Sequence, residues 1–209
     1  VINPDDIVRD FGADTLRLYE MFMGDFEKSA PWSMDSVRGC KRFLDRIWNL
    51  QNILIDGDSY RKELETPFHQ TIKKVSEDIE SMKFNTAIAA MMSLLIQISD
   101  SGAINRAEYR DLLIMLNPFA PHMTEELFEE MGFGGLISSC QWVKWDEEKC
   151  KESTVEIVAQ VCGKIRAKLV VPADISQEEA IALAKAEPRA AAEIEGKKIV
   201  KELYVKGKL

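Results

Sequence analysis

Long apolar runs, clustered cysteines and abundant histidines are all missing from this chain of 209 residues. The most apolar stretch, residues 87–96, falls well short of the roughly 18 residues that a membrane-spanning helix needs. The chain does not open with the charged, apolar and small-residue pattern of a secretion signal. The four cysteines lie far apart and form no C-x-x-C pair, which argues against a zinc site and for reduced thiols. These absences predict a cytoplasmic protein with no membrane contact and no bound metal.

Motifs for catalysis are missing as well. No Gly-rich phosphate loop occurs in the sequence. The carboxylate pairs Asp5-Asp6, Glu125-Glu126 and Glu147-Glu148 fall at helix starts or in loops. His69 falls in a helix, where a surface or packing role is expected. His122 follows a proline at a helix corner, where a hydrogen-bonded structural role is expected. The sequence therefore predicts no catalytic residue.

The net charge of −8 is unevenly distributed along the chain. Residues 1–153 hold 17 Lys and Arg against 27 Asp and Glu, whereas residues 154–209 hold 10 against 8. An acidic body disfavours indiscriminate binding to nucleic acid, because phosphate contacts need a local concentration of cations. Any RNA contact must therefore use patches, and the slightly basic tail is one candidate.

From Ser33 to about Met131 the apolar residues recur at helical spacing. This pattern predicts four or five antiparallel helices with short connections, which form a bundle. We expect a preceding short helix that is capped by Asn3 and ends near residue 12. Asn85 is expected to cap the third bundle helix. Asn117 stands before a proline and is biased away from the αR conformation, so the fourth helix should stop there.

Beyond the bundle the period of the pattern changes to two. Residues 155–161 and 164–169 alternate between apolar and polar side chains and predict two strands that turn at Gly163. Ser176 is expected to cap a helix, and residues 198–205 predict another strand. The fold class is therefore predicted to be mainly α, an antiparallel helix bundle followed by a small α+β domain.

Three stretches of the sequence are specific enough to compare with a known family. Residues 117–128, N-P-F-A-P-H-M-T-E-E-L-F, resemble a corner of the helical anticodon-binding domain in class I aminoacyl-tRNA synthetases, with Phe128 where tryptophan is usual. Residues 1–19 are similar to the segment that follows the lysine signature loop of those enzymes. Residues 160–168, Q-V-C-G-K-I-R-A-K, resemble a hairpin of the bacterial-type leucyl-tRNA synthetase family, in which asparagine usually stands at position 162. Because cysteine accepts positive φ less readily than asparagine, a looser turn or a turn of another type is expected here.

The resemblance implies a C-terminal piece of a larger ligase. It implies connecting helices over residues 1–32, an anticodon-binding-type bundle over residues 33–152 and a small tRNA-binding domain over residues 153–209. The implied partners are tRNA, specifically the leucine isoacceptors, and upstream catalytic and editing domains of the same chain. ATP and Mg would belong to the full-length enzyme, with no cofactor bound by these residues. Two alternatives stay open: the equivalent portion of a valyl- or isoleucyl-tRNA synthetase, and a free-standing helical interaction module.

Two groups of cations are the candidate RNA contacts. Arg38, Arg42 and Arg46 are four positions apart and stack on one helix face, from which guanidinium groups can make paired hydrogen bonds to phosphates. By the resemblance, this helix lies where the inner limb of the tRNA passes. The alternative is a solvated face whose arginines pair with acidic neighbours. In the tail, the candidates are Lys164, Arg166 and Lys168, expected on one face of a strand, and Lys197, Lys198 and Lys201. Such contacts would grip backbone and loop shape rather than read bases.

Overall fold

The computed structural model describes residues 2–24, 30–151, 154–197 and 199–205. The chain separates into two compact units, Val1–Cys150 (unit 1) and Lys151–Leu209 (unit 2). The fold is mainly helical with a small β part, which confirms the predicted fold class. The division into three segments at residues 32 and 152 stays a prediction.

Unit 1 is a helix bundle. Its described residues form α1 (Pro4–Phe11), α2 (Ala13–Phe22), α3 (Met34–Asn49), α4 (Lys62–Glu80), α5 (Phe84–Ser101), α6 (Arg106–Leu116) and α7 (Pro121–Glu130). Two short strands, β1 (Leu54–Ile55) and β2 (Ile104–Asn105), pair in parallel. Short 3₁₀ turns occupy Leu50–Ile53 and Ile137–Ser139. No helix in the described part of the chain is long and apolar enough to cross a membrane.

The core of unit 1 lies where the apolar stripes of its helices meet. From α3, the buried side chains include Val37, Phe43 and Ile47. Tyr109 of α6 is fully buried, and its hydroxyl donates a hydrogen bond to the carbonyl of Ile47 at 3.1 Å. Because this face of α3 is committed to the core, its opposite face is left to solvent.

Helix boundaries follow local signals in two of three places. The side chain of Asn3 accepts a hydrogen bond from the amide of Asp5 at 3.1 Å, and α1 ends at Phe11, as predicted. The predicted cap at Asn85 is wrong, because α5 begins at Phe84. The α6 helix stops at Leu116 as predicted, although the conformational reason is wrong. Asn117 keeps αR angles because its amide still bonds to the carbonyl of Leu113 and its side chain donates to Thr124.

Unit 2 is a hairpin with two short helices. The strands β3 (Thr154–Val161) and β4 (Lys164–Pro172) are antiparallel and are followed by α8 (Gln177–Ala186) and α9 (Pro188–Ile194). Ser176 caps α8 in a capping box with Glu179, as predicted. The strand predicted from residue 198 is wrong for residues 199–205, which show no strand pairing, and Lys198 lies outside the described residues. Instead, the side chain of Tyr204 packs against the hydrophobic core of unit 2. A side-chain contact, rather than backbone hydrogen bonds to a neighbouring strand, therefore holds this segment.

The hairpin turn is tighter than expected. Cys162 has φ 52° and Gly163 has φ 76°, so both turn residues take the left-handed conformation that a type I′ turn requires. The cysteine therefore adopts the backbone angles that asparagine favours, and the turn is not loosened. A register shift between Ala159 and Gln160 then leaves one extra residue in β4, a β-bulge.

Candidate nucleic-acid interface

The three predicted arginines of α3 lie on its solvent face. Arg38, Arg42 and Arg46 are all exposed, opposite the buried stripe that contains Val37 and Ile47. The helical spacing places them in one row, as the sequence predicts. The row is called the arginine stripe below.

The three guanidinium groups have different partners. Arg38 pairs with Asp35 at 3.0 Å, and Asp35 is 95% exposed. Arg46 donates to the hydroxyl of Ser99 on α5 at 3.2 Å. Among the described residues, Arg42 has neither a hydrogen bond nor an ion pair. Since exposed ion pairs contribute little free energy, a phosphate can displace Asp35, and Arg42 is available without any displacement.

The guanidinium group of Arg42 lies next to Gly39, which has no side chain. A Cβ built on Gly39 would lie 3.8 Å from Nη2 of Arg42, so the guanidinium group lies over the glycine one turn earlier in the helix. The neighbouring cation, Lys41, is paired with Asp45. Of the cations on the exposed surface of α3, Arg42 and Arg46 are therefore the two that no described carboxylate neutralises.

The cations of β4 do not share one face, which corrects the prediction. Residues that face each other across an antiparallel pair project to the same side of the sheet. Lys164 faces Val161 of β3, and Lys168 faces Val158 of β3. Val158 and Val161 are three positions apart, so their side chains project to opposite sides of the sheet. The two lysines thus lie on opposite sides, because the bulge at Arg166 breaks the alternation.

Several cations of unit 2 are paired with carboxylates. Arg166 pairs with Glu193 at 2.8 Å, and Lys168 pairs with Glu156 at 2.9 Å. Lys197 is 3.8 Å from Glu193. Lys164 and Lys201 are exposed and form no ion pair with a described residue. Of the six predicted cations of the tail, Lys164 and Lys201 therefore have no described carboxylate partner, and three others have one. Lys198 lies outside the described residues.

A polar cavity of about 430 Å³ in unit 1 was not predicted. The hydroxyl of Tyr60 donates to the carboxylate of Asp111 at 2.5 Å, and Arg110 bonds to the same carboxylate. Burial raises the pKa of Tyr60 and the pKa of Asp111. Lys149 and Glu65 also line the cavity and pair with each other at 2.7 Å. These groups bind one another, so we assign the cavity no reaction. No cluster of three metal-ligating side chains occurs among the described residues.

Sequence reasoning missed Ser99, the partner of Arg46. The two residues are 53 positions apart, and a serine on an exposed helix face carries no local signal of such a contact. The same holds for Glu193, which neutralises Arg166 from another element. Both contacts arise from tertiary packing alone.

Arg42 and Arg46 of the helix bundle, and Lys164 and Lys201 of the small unit, are exposed and form no ion pair with a described residue, which makes the chain a candidate nucleic-acid-binding module. The family comparison agrees with it. Residues 61–182 match the family described as the anticodon-binding domain of tRNA ligase, which is more than half of the chain. The chain belongs to this family.

Similar proteins cover the whole chain. It is 54% identical over 209 residues to the leucine–tRNA ligase of Alkaliphilus oremlandii (strain OhILAs), and covers 26% of that protein. It is 41% identical over 215 residues to the leucine–tRNA ligase of Leptospira biflexa serovar Patoc, of which it covers 25%. The chain thus spans about a quarter of the length of the curated relatives it matches.

A solved structure shares the fold. The crystal structure of the ternary complex of Agrobacterium radiobacter K84 agnB2 LeuRS-tRNA-LeuAMS matches with a TM-score of 0.74 at 24% sequence identity. The match covers 100% of this chain and 29% of that chain.

Proposed function

We propose that this chain is the tRNA-binding portion of a leucine–tRNA ligase and positions leucine tRNA for the ATP-dependent attachment of leucine. The observation that carries the proposal is the 54% identity to a leucine–tRNA ligase along all 209 residues. The two relatives described above match over the whole chain and are both leucine–tRNA ligases, which disfavours the valyl and isoleucyl alternatives. In the proposed ligase, ATP and Mg bind to catalytic residues elsewhere in the protein, with editing residues also outside this chain, and the whole works in the cytoplasm.

The arginine stripe supports a backbone contact in unit 1. Arg42 and Arg46 present guanidinium groups that no described carboxylate neutralises, on the exposed face of a rigid helix. Planar guanidinium groups match phosphate geometry in pairs of hydrogen bonds. Unit 1 is acidic overall, so such a contact is local and holds one stretch of backbone in register.

Unit 2 supports a second contact with the tRNA. Lys164 and Lys201 are exposed and form no ion pair with a described residue, and they stand on a small unit whose residues 154–209 hold 10 Lys and Arg against 8 Asp and Glu. We infer that the hairpin grips the outer corner of the tRNA, where the D and T loops meet, by shape and phosphate charge. Such a contact adds affinity for folded tRNA without reading individual bases.

A titration of the 209-residue chain with leucine tRNA over a salt series tests the proposal. The logarithm of the binding constant should fall linearly with the logarithm of salt concentration, with a slope set by the number of phosphates contacted. Arg42→Ala should weaken binding and reduce the slope by about one unit. Arg9→Ala is the matched control, because Arg9 is also exposed but is neutralised by Asp6 and Asp10.

Three outcomes are informative. A reduced slope for Arg42→Ala with an unchanged slope for Arg9→Ala supports the stripe contact. Equal slopes for both variants and the unmodified chain would refute it. Equal affinity for leucine tRNA and for an unrelated RNA hairpin of the same length would refute the tRNA function itself.

A further inference from the structure

The hydroxyl of Ser99 holds the side chain of Arg46 in place. An Nη2 hydrogen of Arg46 is donated to Oγ of Ser99 at 3.2 Å. The same hydroxyl donates its own hydrogen to the carbonyl of Leu95, one turn earlier in α5, at 2.7 Å. Because that hydrogen is committed to the backbone, the oxygen presents its lone pairs to the guanidinium group. The orientation of Ser99 is therefore set by α5 before any ligand arrives.

A neutral partner leaves the charge of Arg46 available. Arg38 is also held, but its partner is the carboxylate of Asp35, which cancels the charge that a phosphate would meet. Ser99 restrains the long arginine side chain without cancelling its charge. A guanidinium group has five N–H donors, so most remain free for a phosphate after one is used.

The helix that carries Ser99 contains a single charged residue, Asp100. It is exposed and forms no ion pair with a described residue. Elsewhere the exposed surface of α5 is uncharged, with Ala89, Ser93 and Gln97 among its residues. Apart from Asp100, a phosphate that approaches Arg46 from α5 therefore meets no charge of its own sign on that helix.

We propose that Ser99 is a positioning residue that holds Arg46 for a phosphate of the bound RNA, so that the RNA surface of unit 1 spans α3 and α5. The inference rests on the proposed function and names one further residue of its site. Ordering a flexible arginine side chain before binding removes part of the entropy that binding would otherwise cost.

Ser99→Ala and Ser93→Ala form a matched pair for the test. Both serines are exposed on α5, and both donate their hydroxyl to the carbonyl four residues earlier. Ser93 has no arginine partner among the described residues.

In the 209-residue chain, Ser99→Ala should weaken binding of leucine tRNA roughly two- to tenfold, which corresponds to the usual free-energy contribution of one hydrogen bond. It should leave the salt slope unchanged, because no charge is removed. Ser93→Ala should bind like the unmodified chain, and Ser99→Thr should restore binding.

The pairing with Arg46 separates positioning from a general structural effect. Arg46→Ala should weaken binding and reduce the salt slope by about one unit. The double variant with Ser99→Ala should bind no more weakly than Arg46→Ala alone, since Ser99 acts through Arg46. Additive losses, or equal losses for Ser99→Ala and Ser93→Ala, would overturn the positioning role. If Arg46→Ala weakens binding and Ser99→Ala does not, this inference alone fails. If Arg46→Ala also leaves the affinity for tRNA and the salt slope unchanged, the contact of Arg46 with RNA, on which this inference rests, is refuted.

Discussion

The carboxylate of Asp14 and the imidazole of His122 meet across 108 positions of sequence, with Oδ1 of Asp14 2.7 Å from Nδ1 of His122. Asp14 stands in the first turn of α2, and His122 stands in the first turn of α7. Oδ2 of the same carboxylate accepts the amide of Met123 at 2.7 Å. The residue before α7 is Ala120, whose side chain can cap nothing. Asp14 therefore caps α7 from another helix and ties the two helices together.

Asp14→Ala should lower the free energy of unfolding of unit 1 by roughly 1–3 kcal/mol, because it leaves amides at the start of α7 without an acceptor. Urea unfolding followed by tryptophan fluorescence measures the change. His122→Ala is the control and should cost much less, since the imidazole is 75% exposed. Equal losses for the two variants would show that the contact between Asp14 and the imidazole, rather than the cap, holds the corner.

The acid stability of unit 1 should depend on His69. Nδ1 of His69 accepts a hydrogen bond from the amide of Asp146 at 3.1 Å, so the ring must be neutral at that nitrogen. Burial lowers the pKa of His69, and the nearby charge of Lys149 lowers it further. Between the ordinary value of about 6.5 and the lower folded value, the unfolded chain binds more protons than the folded chain. Stability should therefore fall as the pH drops below about 6.5.

His69→Asn tests this dependence, because the amide oxygen can accept the Asp146 bond but does not titrate. Urea midpoints at pH 7.5 and pH 5.5 should differ less for His69→Asn than for the unmodified chain. The chain has two histidines, so His122→Asn is the natural control and should keep the dependence. The same pH dependence in His69→Asn as in the unmodified chain would assign it to other groups.

Local signals in the sequence predicted the elements well. The caps at Asn3 and Ser176 depend on residues within one turn, and both are confirmed. The end of α6 is also confirmed, although Asn117 keeps αR angles, and the cap expected at Asn85 is wrong. The exposed row of arginines follows from helical spacing alone. The strand expected over residues 199–205 is wrong because a strand needs a partner ladder, which no local pattern supplies.

The charge partners of the candidate site could not be predicted. Arg46 donates a hydrogen bond to Ser99 of α5, and Arg166 pairs with Glu193 of α9, a helix that the sequence did not predict. The bulge that separates Lys164 from Lys168 arises from strand register, which is set by pairing and not by the alternation of one strand. The sequence therefore identified the cations, and the tertiary structure decides which of them are free.

Gly39→Ala should stabilise unit 1. Gly39 lies inside α3, where glycine is less favourable than alanine by about 1 kcal/mol. The new Cβ would lie 3.8 Å from Nη2 of Arg42, an ordinary contact with a flexible side chain. We expect a gain of roughly 0.5–1 kcal/mol in urea unfolding. Gly57→Ala is the contrasting control, because its Cβ would lie 2.8 Å from the side chain of Asn105, so it should destabilise. A loss for Gly39→Ala would show that α3 does not accommodate a methyl group at this position.

Cys162→Asn should stabilise the hairpin of unit 2. Cys162 holds φ 52°, a conformation that asparagine adopts more readily than other residues with a Cβ. A gain of roughly 0.5–1 kcal/mol is expected, visible as slower amide hydrogen exchange in β3 and β4. Gly163→Ala should have the opposite effect, since φ at that position is 76°. Faster exchange in Cys162→Asn would show that the thiol makes a compensating contact.

The two lysines of β4 should contribute unequally to tRNA binding. Lys164 has no ion pair with a described residue, whereas Lys168 is paired with Glu156 at 2.9 Å. A phosphate that contacts Lys168 must first displace Glu156, so Lys168 neutralises less phosphate charge than Lys164 does.

Lys164→Gln should therefore reduce the salt slope of tRNA binding by about one unit, and Lys168→Gln should reduce it by less. Glu156→Gln frees Lys168 and should strengthen binding at low salt. Filter-binding titrations of the three variants, with amide exchange of the hairpin as a check on folding, measure these effects. Parental affinity and slope in all three variants would show that the cations of β4 keep unit 2 solvated and do not contact RNA.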